Sequence, residues 1–202
     1  NEVLISSGSI ERPLVFGNND TPGVMLSSAA KEYMKVYGVL VGKKPLIFTN
    51  NDSGYETAIE FKKNGVNPII LDTRSNPSSD IITEAKNLNI GIKFSYVVVA
   101  AKGYKKVKSA DIAKISDDKK ELFNIENIEC DCICVSGFWT PSIHLASQSG
   151  NKSKFNEKID AFVPDKSKQQ ENTIGSANGI FTLEETIKDA FDKGFDVSNK
   201  IT

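Results

Sequence analysis

The sequence lacks the features that would place the protein in a membrane or on nucleic acid. No apolar run approaches the roughly 18 residues of a membrane-spanning helix, and the first residues do not form a signal peptide. Lysine plus arginine (25) and aspartate plus glutamate (26) nearly balance, for a net charge of −1. This balance gives no electrostatic case for nucleic acid or an anionic membrane as a partner. We therefore expect a cytoplasmic protein with neither partner.

Histidine and cysteine are also scarce, which limits metal and nucleophile chemistry. The single histidine, His144, has no evident catalytic partner in the sequence, and we interpret it as a structural or interface residue. Cys130, Cys132 and Cys134 alternate within a predicted strand, so their thiols are expected on one face of that strand. We expect buried, reduced cysteines that pack as small hydrophobic residues, and no metal site.

The chain has no initiator methionine and opens within a predicted strand, so we expect a fragment or a processed piece of a longer protein. Its 202 residues are enough for one large domain or two small ones.

The most informative stretch is residues 45–74, which has the pattern of a βαβ unit. An apolar run, Leu46 to Phe48, enters a polar turn at residues 49–54, and a helical pattern follows until Gly65. A second apolar run closes on Asp72. An acidic residue at the end of the second strand is typical of dinucleotide-binding units.

Two of the three fingerprint glycines are replaced in this unit. The G-x-G-x-x-G pattern is represented by Thr49, Asn51 and Gly54. Gly54 is the position that lets helix and strand pack closely, and it is our cofactor-binding candidate here. A β-carbon at the first two positions would crowd a phosphate, so we expect a degenerate, Rossmann-like scaffold with these residues at the strand-to-helix turn.

The rest of the chain alternates helical and extended patterns. The predicted elements are a helix over 21–38 capped by Thr21, a helix over 79–88, a β-hairpin over 92–115, a strand over 125–137, a short strand pair over 155–164, and a final helix from Thr182 to Gly194.

The final helix is preceded by a small-residue turn that is a second nucleotide-site candidate. Residues 175–179 read GSANG, and Thr182 with Glu185 has capping-box spacing. A helix N-terminus of this kind presents backbone N–H groups to an anion. A plain strand–turn–helix connection explains the same pattern equally well.

Four segments together resemble one protein family: SIERPLVFGNNDTPGVM, FTNNDSGYETA, SGFWTPSIHLASQSG and GSANG. They are similar to the alpha subunit of heterotetrameric sarcosine oxidase, within the two-dinucleotide-fold flavoproteins (the pyridine nucleotide–disulfide oxidoreductase superfamily). The resemblance implies an α/β fold: a Rossmann-like three-layer nucleotide-binding domain with a small antiparallel β-hairpin, plus flanking pieces of an interrupted first dinucleotide-binding domain. Residues 1–20 would end that first domain, 21–137 would form the degenerate second one, and 138–202 would return to the first.

The resemblance also implies a function for the parent enzyme. That enzyme demethylates sarcosine with oxygen to glycine, peroxide and a one-carbon unit bound to tetrahydrofolate. FAD and FMN would belong to the parent complex and not to this segment, which would supply part of an NAD site and subunit scaffold. The NAD contacts it implies are Gly175, Ala177, Asn178 and Thr182, with Asn178 where many relatives have Asp. No catalytic residue is implied.

Two other functions remain open on sequence grounds. One is an independent NAD(P)H-dependent oxidoreductase of the pyridine nucleotide–disulfide type, although the lost glycines and the absence of a C-x4-C pair disfavour it. The other is an interaction module without nucleotide binding.

Overall fold

The computed structural model of the chain describes residues 2–200 in full and the backbone of residue 201. The described chain divides into two compact units, one made of residues 11–138 and the other of residues up to 10 together with residues from 139 onward. None of its helices has the length and hydropathy of a membrane span. The assignment of residues 1–20, 21–137 and 138–202 to a first and a second dinucleotide-binding domain stays a prediction.

The unit of residues 11–138 is built on a five-stranded parallel sheet in the order β3-β10-β4-β5-β6. Three helices accompany it, and a separate antiparallel sheet, β7-β8-β9, belongs to the same unit. The bounds are β3 Val24–Leu26, α1 Ser27–Tyr37, β4 Pro45–Thr49, α2 Ser53–Lys63, β5 Ile69–Asp72, α3 Asp80–Asn87, β6 Gly91–Phe94, β7 Tyr96–Lys102, β8 Ser109–Ile115, β9 Leu122–Glu129 and β10 Cys132–Ser136. The predicted α/β fold with its parallel sheet is confirmed, and the predicted hairpin has a third strand.

The central strand β4 is buried at every position because the unit has apolar clusters on both faces of the sheet. Ile47 packs in the cluster that includes helices α1 and α2, whereas Leu46 and Phe48 pack in the cluster that includes the antiparallel sheet. Alternation along a strand sends successive side chains to opposite faces. A strand covered on both sides is therefore a continuous apolar run, as the sequence pattern indicated.

The predicted helix over 21–38 is wrong at its start. Val24–Leu26 is strand β3, which pairs in parallel with Ile133–Val135 of β10, and helix α1 begins only at Ser27. Gly23, with a φ of 106°, breaks the helical path before the strand. Its predicted end is confirmed, since Gly38 adopts the left-handed conformation at the C-cap.

The prediction that the three thiols share one face is also wrong. Cys132 and Cys134 pack in the cluster of α1 and α2, but Cys130 packs in the opposite cluster. The strand begins only at Cys132, because the backbone bends at Asp131, whose carboxylate accepts the backbone N–H groups of Lys43 and Lys44 at 2.8 Å each. The alternation therefore does not extend back to Cys130. All three cysteines are buried and free, as predicted.

The other unit contains short strand pairs, a short helix and one long helix. Its elements are β1 Val3–Ile5, β2 Ser9–Glu11, β11 Trp139–Pro141, α4 His144–Gln148, β12 Ser153–Asn156, β13 Ala161–Pro164, β14 Glu171–Thr173, a 3₁₀ turn Gly175–Asn178 and α5 Leu183–Ile201; β2 ends across the boundary, at residue 11. The pairs are β1-β14, which is parallel, β12-β13, which is antiparallel, and β2-β11. The predicted stop of the last helix at Gly194 is wrong, since α5 continues through it to Ile201.

Candidate functional site

The turn from β4 to α2 holds Thr49, Asn51 and Gly54, as the fingerprint spacing predicted. Thr49 is the last residue of β4, and Gly54 is the second residue of α2. A β-carbon added at Gly54 would lie 2.7 Å from the Cβ of Thr49. This distance is far too short for two carbon atoms, so Gly54 permits the close approach of helix and strand.

The polar groups of this turn are hydrogen-bonded to one another. The backbone N–H of Asn51 donates to Thr49 Oγ1 at 3.1 Å, and Thr49 Oγ1 donates to the carbonyl of Asn51 at 2.8 Å. The Asn51 side chain accepts the N–H of Ser53 at 2.8 Å and donates to the carbonyl of Ser136 at 3.1 Å. Ser53 is the first residue of α2, so Asn51 holds a donor that a phosphate would use.

The acid at the end of β5 is occupied as well. Asp72 is completely buried, and its Oδ2 accepts the hydroxyl of Tyr55 at 2.7 Å. Arg74 donates from Nε to Oδ1 at 3.0 Å and from Nη2 to Oδ2 at 2.8 Å, while its backbone N–H donates to Oδ1 at 2.9 Å. Nη2 of Arg74 also donates to Asp52 at 2.8 Å. Asp72 is thus held by protein groups where a nucleotide-binding unit would use it for a ribose hydroxyl.

We call Asp52, Tyr55, Asp72 and Arg74 the Asp72 cluster, and the pKa values of its tyrosine and its arginine are both raised. Burial raises the pKa of Tyr55, and the hydrogen bond to Asp72 raises it further, so the phenol stays protonated. Burial disfavours the charge on Arg74, but the hydrogen bonds to Asp72 and Asp52 outweigh burial and raise its pKa. The cluster is a stable ionic lock and not a proton-transfer site.

Sequence reasoning singled out Asp72 but missed its partners. The helical pattern after Gly54 places Tyr55 on the helix but does not show that its hydroxyl reaches Asp72, and nothing in the pattern assigns a role to Arg74. The available signal is the tyrosine hydroxyl itself, because a hydroxyl that becomes buried needs a partner.

The second candidate site, the turn before α5, brings four of the predicted residues together. Gly175, Ala177 and Asn178 lie in the 3₁₀ turn, and Thr182 precedes the first residue of α5. Gly175 has a φ of 62° and is buried, as is Ala177. The fifth predicted residue, Gly54, belongs to the other compact unit.

Two carboxylates already engage donors at this turn. Asp189 Oδ2 accepts the backbone N–H of Gly175 at 2.8 Å, and Glu185 Oε2 accepts the hydroxyl of Thr182 at 2.6 Å. The N–H of Glu185 in turn donates to Thr182 Oγ1 at 3.3 Å, as expected from the capping-box spacing. Glu185 brings negative charge to the positive end of the helix, where an anionic ligand would otherwise be favoured. Asp189 lies further along α5 and occupies the N–H of Gly175.

Asn178 is the predicted residue that faces open space. It lines a polar groove of about 1150 Å³ within this unit. Asn151 and Thr173 line the same groove, and each has a buried side-chain oxygen without a hydrogen-bond partner in the structure. The groove therefore has unused polar capacity next to the turn.

No metal site is found among the described residues, because no group of three or more His, Cys, Asp or Glu side chains there is arranged to hold an ion. His144 is exposed as the first residue of α4. Burial, followed by Cys132 and the acids Asp131 and Glu129, raises the pKa of Cys130 to about 12, so this thiol is neutral and unreactive at neutral pH.

Comparison with known proteins identifies relatives over most of the chain. This chain is 32% identical over 183 residues to a protein named sarcosine oxidase subunit alpha from Corynebacterium sp. (strain P-1). The match covers 90% of this chain and 19% of that protein. The subunit of the same name from Rhizobium meliloti (strain 1021) is 34% identical over 163 residues, covering 80% of this chain and 15% of that one. This chain spans about a fifth of the length of these curated relatives. No protein-family model matches the chain.

Solved structures share the fold at lower identity. The thioredoxin reductase of T. acidophilum superposes with a TM-score of 0.79 at 18% identity, covering 100% of this chain and 66% of that one. The L-proline dehydrogenase of P. horikoshii superposes with a TM-score of 0.57 at 22% identity, covering 87% of this chain and 30% of that one. The predicted Rossmann-like fold is thereby confirmed.

Proposed function

We propose, on the premise that this chain is homologous to a segment of sarcosine oxidase alpha subunits, that it serves as scaffold in the alpha subunit of a sarcosine oxidase-like oxidoreductase. In this role it orders the nucleotide-binding folds of the subunit and contributes contacts to an NAD site. The chemistry takes place elsewhere in the complex, on FAD and FMN that this segment does not hold. The reaction proposed for the complex is the oxidative demethylation of sarcosine, with the one-carbon unit passed to tetrahydrofolate and with other subunits as partners.

The observation that carries the scaffold role is the closed turn between β4 and α2. Asn51 caps the N-terminus of α2, and Arg74 and Tyr55 saturate Asp72. The groups that would bind a pyrophosphate and a ribose are therefore already bound by other groups of the protein. Of the fingerprint, only Gly54 remains, and its role is packing.

The NAD contribution rests on the turn before α5. We infer that Gly175 and Ala177 shape this turn, that Thr182 caps the helix, and that Asn178 makes the direct contact, because Asn178 lines the polar groove. An amide side chain can both donate to and accept from the hydroxyl groups of a ribose.

The alternative, an independent NAD(P)H-dependent disulfide oxidoreductase, requires an accessible redox pair of cysteines. The three cysteines are all buried, and Cys130 packs on the opposite side of the sheet from Cys132 and Cys134. The likeness to thioredoxin reductases supports a common fold and no shared activity.

A chimera tests the proposed function. The matched region of the strain P-1 alpha subunit is replaced by this chain, and the product is expressed with the other subunits of that enzyme. Sarcosine-dependent oxygen consumption and bound NAD are then measured for the chimera and for its Asn178→Leu variant, with Asn199→Leu on the exposed part of α5 as the control.

The expected result is an active chimera whose NAD content falls at least threefold in Asn178→Leu alone. An inactive but well-folded chimera would contradict the scaffold role. Oxidation of NADH or NADPH by the isolated chain with a disulfide acceptor would instead favour the alternative.

A further inference from the structure

We propose that the loop between β7 and β8 is a docking site for a short acidic segment of another protein. The exposed part of this loop, which we call the basic tip, consists of Tyr104, Lys105, Lys106 and Lys108. The segment that fits it has two or more carboxylates beside an aromatic or apolar side chain. The inference does not depend on the proposed function, because it concerns this loop alone and holds whether or not the chain contributes to an NAD site.

The positive charges of the basic tip are not neutralised by the protein itself. Lys102, just before the loop, pairs with Asp111 at 2.9 Å. Within the part of the chain that the structure describes, the three lysines of the basic tip have no ion-pair partner. These three charges lie within four positions of a chain whose net charge is only −1. They form a local positive field that attracts carboxylates and steers their approach.

An aromatic side chain stands beside these charges. Tyr104 is 92% exposed, so its ring contributes almost nothing to the folded core. A tyrosine offers a large contact area with few rotatable bonds, and tyrosines are enriched among the residues that dominate binding at protein interfaces. The combination of an exposed ring and unpaired lysines therefore favours a protein partner that is acidic and partly apolar.

The loop is fixed to the body of its unit. Val107 is completely buried, and its backbone N–H donates to the carbonyl of Pro22 at 2.9 Å. The N–H of Lys108 donates to the carbonyl of Lys102 at 2.8 Å, which closes the loop at its base. Val107 thus anchors the loop from inside, while its neighbours on both sides remain exposed.

Gly103 sets the direction in which the loop leaves β7. Its φ is 150°, and a β-carbon at this position would lie 1.9 Å from the carbonyl oxygen of Lys106. Only glycine permits this close approach of the two ends of the basic tip. A surface that is fixed before binding loses little conformational freedom when a partner binds, which is the property expected of a docking site.

A protein segment suits the basic tip better than a nucleic acid. A nucleic-acid strand needs a basic groove that follows successive phosphates. Next to the loop, Asp111 offsets Lys102, and Glu129, which lies opposite Ser109 in the sheet, offsets Lys44 at 2.7 Å. The run of unpaired positive charge is therefore short, as a short acidic segment requires.

Fluorescence anisotropy with a labelled peptide tests the inference on the complete chain. The probe is a short glutamate-rich peptide with a central phenylalanine, and its control has glutamine at every glutamate. Binding is measured at low and at physiological ionic strength, because salt weakens attraction between exposed charges. The test variant combines Lys105→Glu with Lys106→Glu. The matched control combines Lys119→Glu with Lys120→Glu, which changes the net charge equally in the exposed turn between β8 and β9.

We expect the glutamate peptide to bind saturably, and at low salt at least tenfold more tightly than the glutamine peptide. The Lys105→Glu and Lys106→Glu pair should weaken binding at least tenfold, and the control pair less than twofold. Absence of saturable binding, or equal losses in the two pairs, would overturn the inference. Tighter binding of a single-stranded oligouridylate than of the glutamate peptide would overturn it as well, in favour of a nucleic acid.

Two further variants separate a built docking site from simple attraction of charge. Tyr104→Ser removes the exposed ring, and Gly103→Ala forces the loop away from Lys106; neither changes the net charge. Each should weaken binding of the glutamate peptide at least threefold, with urea midpoints measured to show that both variants are folded. Full affinity in both would reduce the basic tip to a patch of charge and contradict the proposal.

Discussion

Arg74 holds the completely buried carboxylate of Asp72 through both Nε and Nη2, at 3.0 and 2.8 Å. The two residues are only two positions apart, and Nη2 of Arg74 also reaches Asp52 at the start of α2. The arginine therefore connects the end of β5 to the loop after β4. A positive charge therefore lies just past the carboxyl end of β5, where it is paired with the protein's own acids, Asp72 and Asp52.

Replacing Arg74 by alanine should destabilise the chain measurably. The change leaves the charge of Asp72 buried with fewer donors, and we expect a loss of about 1–3 kcal/mol, below the range for fully buried pairs because Arg74 is partly exposed. Urea unfolding measures the change. The control is Lys44→Ala, which removes the exposed ion pair with Glu129 and should cost less than about 1 kcal/mol. Equal effects of the two variants would contradict the ionic lock.

Gly54→Ala should destabilise the turn by crowding Thr49. The new β-carbon would lie 2.7 Å from the Cβ of Thr49, and relieving such overpacking costs typically about 1–3 kcal/mol. The matched control is Gly194→Ala in α5, where a β-carbon meets nothing within 4 Å. There we expect stabilisation of about 0.5–1 kcal/mol, since alanine favours a helix over glycine. The two thermal midpoints should move in opposite directions; a shared direction would refute this reading of Gly54.

Stability should fall at alkaline pH because burial keeps Cys130 protonated. Its pKa is about 12 in the folded chain, against about 8.5 in an unfolded one. Between these values the unfolded state binds fewer protons, so the free energy of unfolding decreases as pH rises, by up to about 1.4 kcal/mol per pH unit for this group. Below about pH 8 the group has no effect.

The check is a series of urea midpoints from pH 7 to about pH 11, a range that spans the unfolded thiol pKa. Cys130→Ala should show a shallower decline above pH 9 than the native chain. Identical slopes would mean that Cys130 does not contribute.

Asp189→Ala should make the turn before α5 more receptive to anions. The variant frees the N–H of Gly175 and removes the negative charge that faces this donor. With inorganic pyrophosphate as the probe, we expect the dissociation constant to fall at least threefold. Asp192→Ala removes the same charge from an exposed position on α5 and should change it less. If both variants behave alike, the effect belongs to net charge and not to the freed donor.

Local patterns were sufficient to predict much of the fold. The β4-α2-β5 unit follows from two apolar runs around a polar turn, and the start of α5 follows from Thr182 and Glu185. Both signals involve residues close in sequence. The start of α1 could not be found in this way, because β3 exists through its pairing with β10 more than a hundred positions later.

The candidate site was less accessible to sequence reasoning. The loss of two fingerprint glycines indicated a degenerate turn, but the pattern did not show that Asn51 and Arg74 occupy it. Asn51 bonds to Ser136, 85 positions away, and Arg74 bonds to Asp52, 22 positions away. Contacts between residues so far apart in sequence produce no periodic pattern from which they could be predicted. The hydrogen bond between Asp189 of α5 and Gly175 could not be predicted for the same reason, since the two residues meet only after the chain folds back.

Titration of NAD into the purified chain by isothermal calorimetry tests the central claim most directly, with Asn51→Trp as a second sample. Because the turn between β4 and α2 is closed and the turn before α5 supplies only part of an NAD site, we predict no saturable heat up to a ligand concentration of about 1 mM, which corresponds to binding weaker than about −4 kcal/mol. Micromolar binding by the native chain that Asn51→Trp abolishes would contradict the account and show that this turn still holds a nucleotide.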